Sequence, residues 1–242
     1  MPHEAATQGA DEYPRPEKME HPMYTLYGGG FTRAHMTEMV LTEIGQPYHL
    51  IEVDTENGAH PTPDYLKINP AGWVPALITP EGKTLCETHA INLYLADKHG
   101  PGWLSPPPDD PDRGLFLSAL FYLAGELEPA LKRYFYPHRY TLRQGDATAA
   151  RQQALKHVGT CLKVINQRLE ANGPYHLGTR YSLVDLGLSY WMLSIMNPAD
   201  VAGFEAIDHC VSLVTTRPGL THLFDDLRQR TKDWAKLDKR DG

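Results

Sequence analysis

Asn69-Pro70-Ala71-Gly72-Trp73-Val74-Pro75-Ala76-Leu77-Ile78-Thr79, with Lys83-Thr84-Leu85-Cys86-Glu87-Thr88 close behind it, is the stretch on which the reading of this chain turns. Pro63 to Ile68 reads as a short helical turn, and Asn69-Pro70 ends it, because a proline drives the residue before it out of the α region. Val74 to Thr79 and Lys83 to Glu87 are short β-prone runs on either side of Pro80-Glu81-Gly82. Two such runs around a Pro/Gly turn predict an antiparallel hairpin. A helix from about Thr88 to Lys98 follows.

Working upstream, Met23 to Tyr27 is a β-prone run stopped by Gly28-Gly29-Gly30. From Thr32 to Ile44, apolar Met36, Met39, Val40 and Ile44 fall at i, i+3, i+4 and i+8, which predicts a helix with one buried stripe, closed by Gly45. Tyr48 to Val53 is a second strand, and the strand–helix–strand spacing makes the two strands parallel. The order is βαβαββα. Downstream, 100–111 contains five prolines and two glycines and reads as a linker at 101–111. Beyond it only helical periodicity remains, over about 112–137, 148–171, 183–195 and 218–236, with a short turn near 201–210. The domains expected are 23–100, with a mixed sheet, and 112–242, all helical.

The chain has 242 residues, 41% of them hydrophobic, enough for a core in each half. A formal net charge of −7 gives no electrostatic reason to expect nucleic acid or an anionic membrane as partner. No apolar run approaches the roughly 20 residues of a membrane span. Residues 1–22 are polar, lack the apolar core of a signal peptide, and read as a disordered extension. Three scattered cysteines, Cys86, Cys161 and Cys210, without C-x-x-C, point to a reducing compartment, hence the cytoplasm, and against a disulfide framework. Twelve histidines show no metal-ligand spacing, so no metal is expected.

This order of elements, with a proline at the hairpin entry and an all-helical second half, resembles the glutathione transferase family over about 23–236. Three patterns carry the resemblance. Asn69 to Leu77 is similar to the family's stretch ending in valine and a cis-proline, which implies that the Val74 backbone pairs with the cysteinyl unit of glutathione like an added strand. Glu87-Thr88 is similar to the family's acid–hydroxyl pair at a strand-to-helix junction. There Glu87 would accept the γ-glutamyl ammonium, and Thr88 with the helix N-terminus would hold its carboxylate; the plainer reading is a helix cap. Gly178 to Leu186 contains an S-x-x-D capping box, Ser182 and Asp185, with Tyr181 and Leu186 as the apolar staple, a folding signal.

The resemblance implies an α/β thioredoxin-like domain followed by a helical bundle, binding glutathione as co-substrate and ionising its thiol. A free thiol has a pKa of about 8.5, so lowering it by two units takes roughly 2.7 kcal/mol of preference for the thiolate. The family places its activator as a tyrosine at the end of the first strand, or a serine or cysteine in the next loop. Here Tyr27 stands at the first position, while the loop Gly28-Gly29-Gly30-Phe31-Thr32-Arg33-Ala34 has neither serine nor cysteine. Thr32 offers the hydroxyl nearest the serine position, and Arg33 near the cysteine position could add positive charge. Each has a plainer reading: a core strand residue, a helix cap and a surface charge. Trp73 stands where many relatives carry a polar side chain, and its ring could pack against the tripeptide.

The resemblance further implies an acceptor pocket between the Gly-rich loop and the second domain, with Tyr122, Tyr134, Phe135, Tyr136 and Trp191 as candidate lining, though aromatics at helical spacing are more often core. The implied reaction is attack of glutathione on a small hydrophobic electrophile. Alternatives on the same fold are disulfide reduction, ether cleavage or dehalogenation, or glutathione binding without catalysis. The resemblance also implies a homodimer.

Overall fold

The computed structural model describes residues 23–55 and 62–238. The extension expected over 1–22 lies outside them. β1 (Tyr24–Gly28) leads through α1 (Ala34–Glu43) to β2 (Tyr48–Glu52), and α2 (Pro63–Ile68) leads to the hairpin β3 (Ala76–Ile78) and β4 (Thr84–Cys86), followed by α3 (Thr88–His99). The sheet order is β2-β1-β3-β4. β1 pairs parallel with β2, and β3 pairs antiparallel with both β1 and β4.

All five residues of β1 are buried, because helices cover both faces of the sheet. The period of two in a strand divides them. Tyr24, Leu26 and Leu77 join Met36, Met39, Val40, Ile91 and Leu95 on the side of α1 and α3. Tyr27, Ala76 and Ile78 join Val53, Tyr65 and Val74 on the side of α2. This is the thioredoxin-like arrangement expected from the sequence.

The helical region comprises α4 (Arg113–Tyr122), α5 (Glu128–Phe135), α6 (Ala147–Asn172), α7 (Leu183–Ser194), α8 (Glu205–Thr215) and α9 (Thr221–Asp238). Where the sequence predicts one helix over 112–137, α4 and α5 run on through a π turn, Leu123–Leu127. Pro129 explains it: proline has no N–H for the helical ladder and its ring crowds the preceding turn. The combined helix Arg113–Phe135 is long and apolar enough to cross a membrane by length and composition alone. Its Phe116, Leu120, Leu123, Leu127 and Leu131 are nevertheless buried in the protein core.

The short turn expected near 201–210 is a correction: a 3-10 turn, Pro198–Val201, precedes the eleven-residue α8. The start of α8 is capped from another helix, where Asn166 Oδ1 accepts the Ala206 and Ile207 N–H groups at 3.1 and 3.2 Å. A cap 40 residues away leaves no local sequence signal.

The two regions share one core, since the cluster that holds Met36 and Leu95 also holds Leu120, Leu183 and Trp191. Polar links cross the same boundary. Leu183 N–H donates to the Leu104 carbonyl at 2.8 Å, His35 Nε2 meets the Leu223 carbonyl at 2.8 Å, and Arg217 pairs with the buried Glu43. Within 101–111, Asp110 and nearby Asp112 hold Arg180 at 2.7 and 2.6 Å.

At the start of α7 the Ser182 N–H and hydroxyl both donate to Asp185 Oδ2 at 2.9 Å, while the His176 N–H donates to Oδ1 at 2.9 Å. Asp185 is fully buried, so these donors replace the water it loses. Hydrogen bonds to a charged group contribute about 1.5–3 kcal/mol, and stranding buried donors adds to the loss. Asp185→Ala is therefore expected to lower the unfolding free energy by about 3 kcal/mol in urea titration. A loss below about 1 kcal/mol would show that the network contributes little.

Candidate functional site

Backbone register gathers the site. Tyr27 pairs with Ala76, and Ala76 with Cys86. One residue further on, Gly28, Pro75 and Glu87 stand together at one edge of the sheet. The N-termini of α1 and α3 open at that edge, and their helix dipoles favour an anion.

The Gly-rich loop is shaped by close packing. A Cβ on Gly28 would lie 2.0 Å from the Ala34 Cβ, so only glycine lets β1 turn into α1 here. Gly29 and Gly30 have φ of 97° and 57°, the left-handed region that glycine enters without cost. The Thr32 hydroxyl donates to the Gly29 carbonyl at 2.7 Å and accepts the Ala34 N–H at 3.4 Å. From the helical region, Tyr190 Oη donates to the Thr32 carbonyl at 3.1 Å and Arg230 Nη1 to the Gly30 carbonyl at 2.8 Å.

The hairpin entry is equally fixed. Asn69 is buried, and its Nδ2 donates to the Trp73 carbonyl at 2.6 Å, an acceptor shared with Tyr65 Oη at 2.9 Å. The Val74–Pro75 peptide is cis. Trp73 leaves its ring 53% exposed beside this bend. Across the edge, Glu87 is exposed at φ 69°, the one non-glycine residue with positive φ among the described residues. Such a conformation costs on the order of 1–3 kcal/mol and is worth keeping where it presents a side chain. The Thr88 hydroxyl is buried and has no hydrogen-bond partner among the described residues.

The thiol-activating candidates part company. Tyr27 is fully buried against Tyr65, 6.3 Å between ring centres, on the α2 side of the sheet. Thr32 is at the edge with its hydrogen directed at Gly29. Arg33 stands at the position just before α1 without a side-chain capping bond and reaches across to the helical region, where Nη1 pairs with Glu128. Glu128, a residue the sequence reading missed, is a buried carboxylate that also meets His89 Nε2 and Lys132 Nζ at 3.0 Å each. Burial pushes its pKa up, but the His89 hydrogen bond and the charges of Arg33, His89 and Lys132 outweigh this and bring it down to about 2.

The proposed pocket lining divides in the same way. Phe135 packs edge-on to Phe31 at 6.1 Å, Phe31 lies 5.6 Å from Trp234, and Trp234 meets Tyr136 at 6.0 Å. These four rings cluster beside the Gly-rich loop. The other three candidates lie elsewhere. Tyr122 faces α6, under the Arg168 guanidinium at 5.1 Å. Tyr134 donates to Asp200 at 3.1 Å and lies under Arg151. Trp191 is buried against Tyr190 at 5.1 Å. Phe31 and Trp234 were missed because they are 203 positions apart, and only the packing of α9 over the loop unites them.

Burial raises the pKa of all three cysteines, and Glu87 adds to this at Cys86. Among the described residues no group of three or more histidines, cysteines or carboxylates gathers to hold a metal.

Comparison with known proteins bears on this geometry. Residues 22–97 match the family model described as the glutathione S-transferase N-terminal domain. The chain is 30% identical to the disulfide-bond oxidoreductase YfcG of Escherichia coli (strain K12), over 81% of this chain and 92% of that protein. It is similar to the structure of a Sulfitobacter glutathione transferase homologue with bound glutathione, with a TM-score of 0.72 and 28% identity over 84% of this chain and 98% of that one. A glutathione transferase of Burkholderia graminis, solved with two glutathione molecules per subunit, gives a TM-score of 0.73 and 25% identity over 84% and 88%. With the mixed sheet, the strand-end edge and the helical region all in agreement, the chain belongs to the glutathione S-transferase family.

Proposed function

We propose that the protein is a glutathione-dependent enzyme that binds the tripeptide along the sheet edge and delivers its thiolate to an acceptor held in the aromatic cleft. The observation that carries this is the convergence of Val74, Glu87, Thr88 and the α1 N-terminus on one edge, directly beside the Phe31–Phe135–Tyr136–Trp234 wall. In this reading the Val74 backbone pairs with the cysteinyl unit, Trp73 flanks the tripeptide, Glu87 accepts the γ-glutamyl ammonium, and the Thr88 hydroxyl with the α3 N–H groups takes its carboxylate. The thiolate is favoured by the α1 N-terminus and by the Arg33 guanidinium, with Thr32 shaping the loop.

Transfer to a small apolar electrophile is the leading reaction: the thiolate sulfur bonds to carbon and a halide leaves with its electron pair. A second reading is disulfide reduction, favoured by the name of the YfcG relative and by the two glutathiones in the Burkholderia graminis structure. There the thiolate attacks one sulfur of a disulfide, forming a mixed disulfide with glutathione, and the other sulfur leaves as a thiolate that takes a proton from water. A second glutathione thiolate then attacks that mixed disulfide, releasing the second thiol and forming glutathione disulfide, so the pair of glutathiones supplies two electrons. Turnover of 1-chloro-2,4-dinitrobenzene against that of hydroxyethyl disulfide decides between them. We also propose a cytoplasmic homodimer, for which Leu115 and Phe121, 65% and 61% exposed on α4, offer apolar surface.

Arg33→Ala is expected to raise the pKa of bound glutathione by about one to two units, the loss of roughly 1.5–3 kcal/mol of thiolate stabilisation, with Arg33→Lys recovering part of it. Thiolate absorbance titrated with glutathione bound reads this out. Tyr27→Phe should leave the curve in place, and a shift there, or one in Thr32→Ala exceeding that of Arg33→Ala, would reassign the activator. Glu87→Ala is expected to weaken glutathione binding by about 2–3 kcal/mol in calorimetry, and unchanged affinity would remove Glu87 from the site. Sedimentation should give twice the 27.2 kDa chain mass, and a single-chain mass at micromolar concentration would refute the dimer.

A further inference from the structure

The aromatic wall is rimmed by cations. Arg33 stands at its inner end, Arg230 beside the loop at Gly30, and Arg139 over Tyr136, its guanidinium carbon 4.2 Å from the ring centre. Two of the three have carboxylate partners: Arg33 shares Glu128 with His89 and Lys132, and Arg230 pairs with Asp226 at 2.7 Å. Arg139 has no carboxylate partner among the described residues. It is exposed, and its guanidinium lies over the face of the Tyr136 ring, beside Phe135 and Trp234. Burial raises the pKa of the Tyr136 hydroxyl, while Arg139 and Arg33 draw it down, so both charges are felt at the same point of the wall. The chain as a whole carries −7, so a positive rim here is a local feature working against the overall field.

We propose that the cleft accepts an acceptor bearing a carboxylate beside its apolar or sulfur-containing reacting group, and that Arg139 anchors that carboxylate. This deepens the acceptor reading given above and rests on it. A planar guanidinium matches a carboxylate through two parallel N–H···O bonds, and its contact with the Tyr136 ring face lessens the freedom lost when they form. The reacting end of the acceptor then lies against Phe31 and Trp234, toward the thiol. Two acceptor classes carry such a carboxylate, a substituted aromatic acid and the glutathione half of a mixed disulfide, and the two are separable by experiment.

The test uses the full chain and its Arg139→Ala and Arg139→Lys variants with matched acceptors: 1-chloro-2,4-dinitrobenzene against 4-chloro-3,5-dinitrobenzoate, and hydroxyethyl disulfide against the mixed disulfide of glutathione and 2-mercaptoethanol. Arg139→Ala is expected to lower kcat/KM for the charged member of a pair about tenfold relative to the neutral one, through KM, with Arg139→Lys between. The pair that responds identifies the source of the carboxylate. Raising salt from about 50 to 500 mM should weaken use of the charged acceptor by the parent protein and not by Arg139→Ala. Equal effects on both members of each pair would overturn the proposal. Calorimetry of 4-nitrobenzoate with the glutathione-loaded protein separates failure of this proposal from failure of the catalytic reading. Binding that is lost in Arg139→Ala supports the anchor even where no acceptor turns over, and binding that is absent, or equal in both proteins, refutes it.

Discussion

β3 has only three residues, yet its antiparallel pairing with β1 on one side and β4 on the other determines which chain ends meet. Reversing either pairing would send the Gly-rich loop, Pro75 and Glu87 to different edges of the sheet. Because side chains alternate along a strand, a slip of one residue would also exchange Leu77 with its neighbours between the two faces. Burial of Leu77 toward α1 and of Ala76 and Ile78 toward α2 fixes the register, and the register places the backbone groups at the edge. The site thus inherits its geometry from core packing rather than from contacts of its own.

The second constraint is electrostatic. Glu128 lies out of water between the two regions, and a bare carboxylate there would be prohibitively unfavourable. Arg33, His89 and Lys132 compensate it, two of them from the sheet region and one from its own helix. The arrangement ties α1 and α3 to α5 at the place where both helix N-termini open. A change in how the regions sit is therefore a change in the charge beside the sheet edge, which couples domain packing to the environment of any thiolate bound there.

Much of this was legible in the sequence wherever a local rule operates. The βα turn at Gly28-Gly29-Gly30, the hairpin around Pro80-Glu81-Gly82 and the Ser182–Asp185 helix start each depend on residues within a few positions of one another. What escaped depends on distant partners. α8 starts under a cap supplied by Asn166, the π turn answers to Pro129 in a tightly packed helix, and Glu128 has meaning only beside Arg33. The aromatic candidates show the same limit. Periodicity marks Tyr122, Tyr134 and Trp191 as inward-facing, but it does not say whether inward means the cleft or the opposite face of the bundle.

The Arg230 bond to the Gly30 carbonyl joins residues 200 positions apart. During synthesis at roughly 5–20 residues per second, the sheet region emerges some ten seconds or more before the helix that roofs its loop. For that interval the nascent sheet edge has its floor but no ceiling, with Phe31 facing solvent. The sheet edge is therefore an early acquisition of the growing chain, and the roof over its Gly-rich loop a late one.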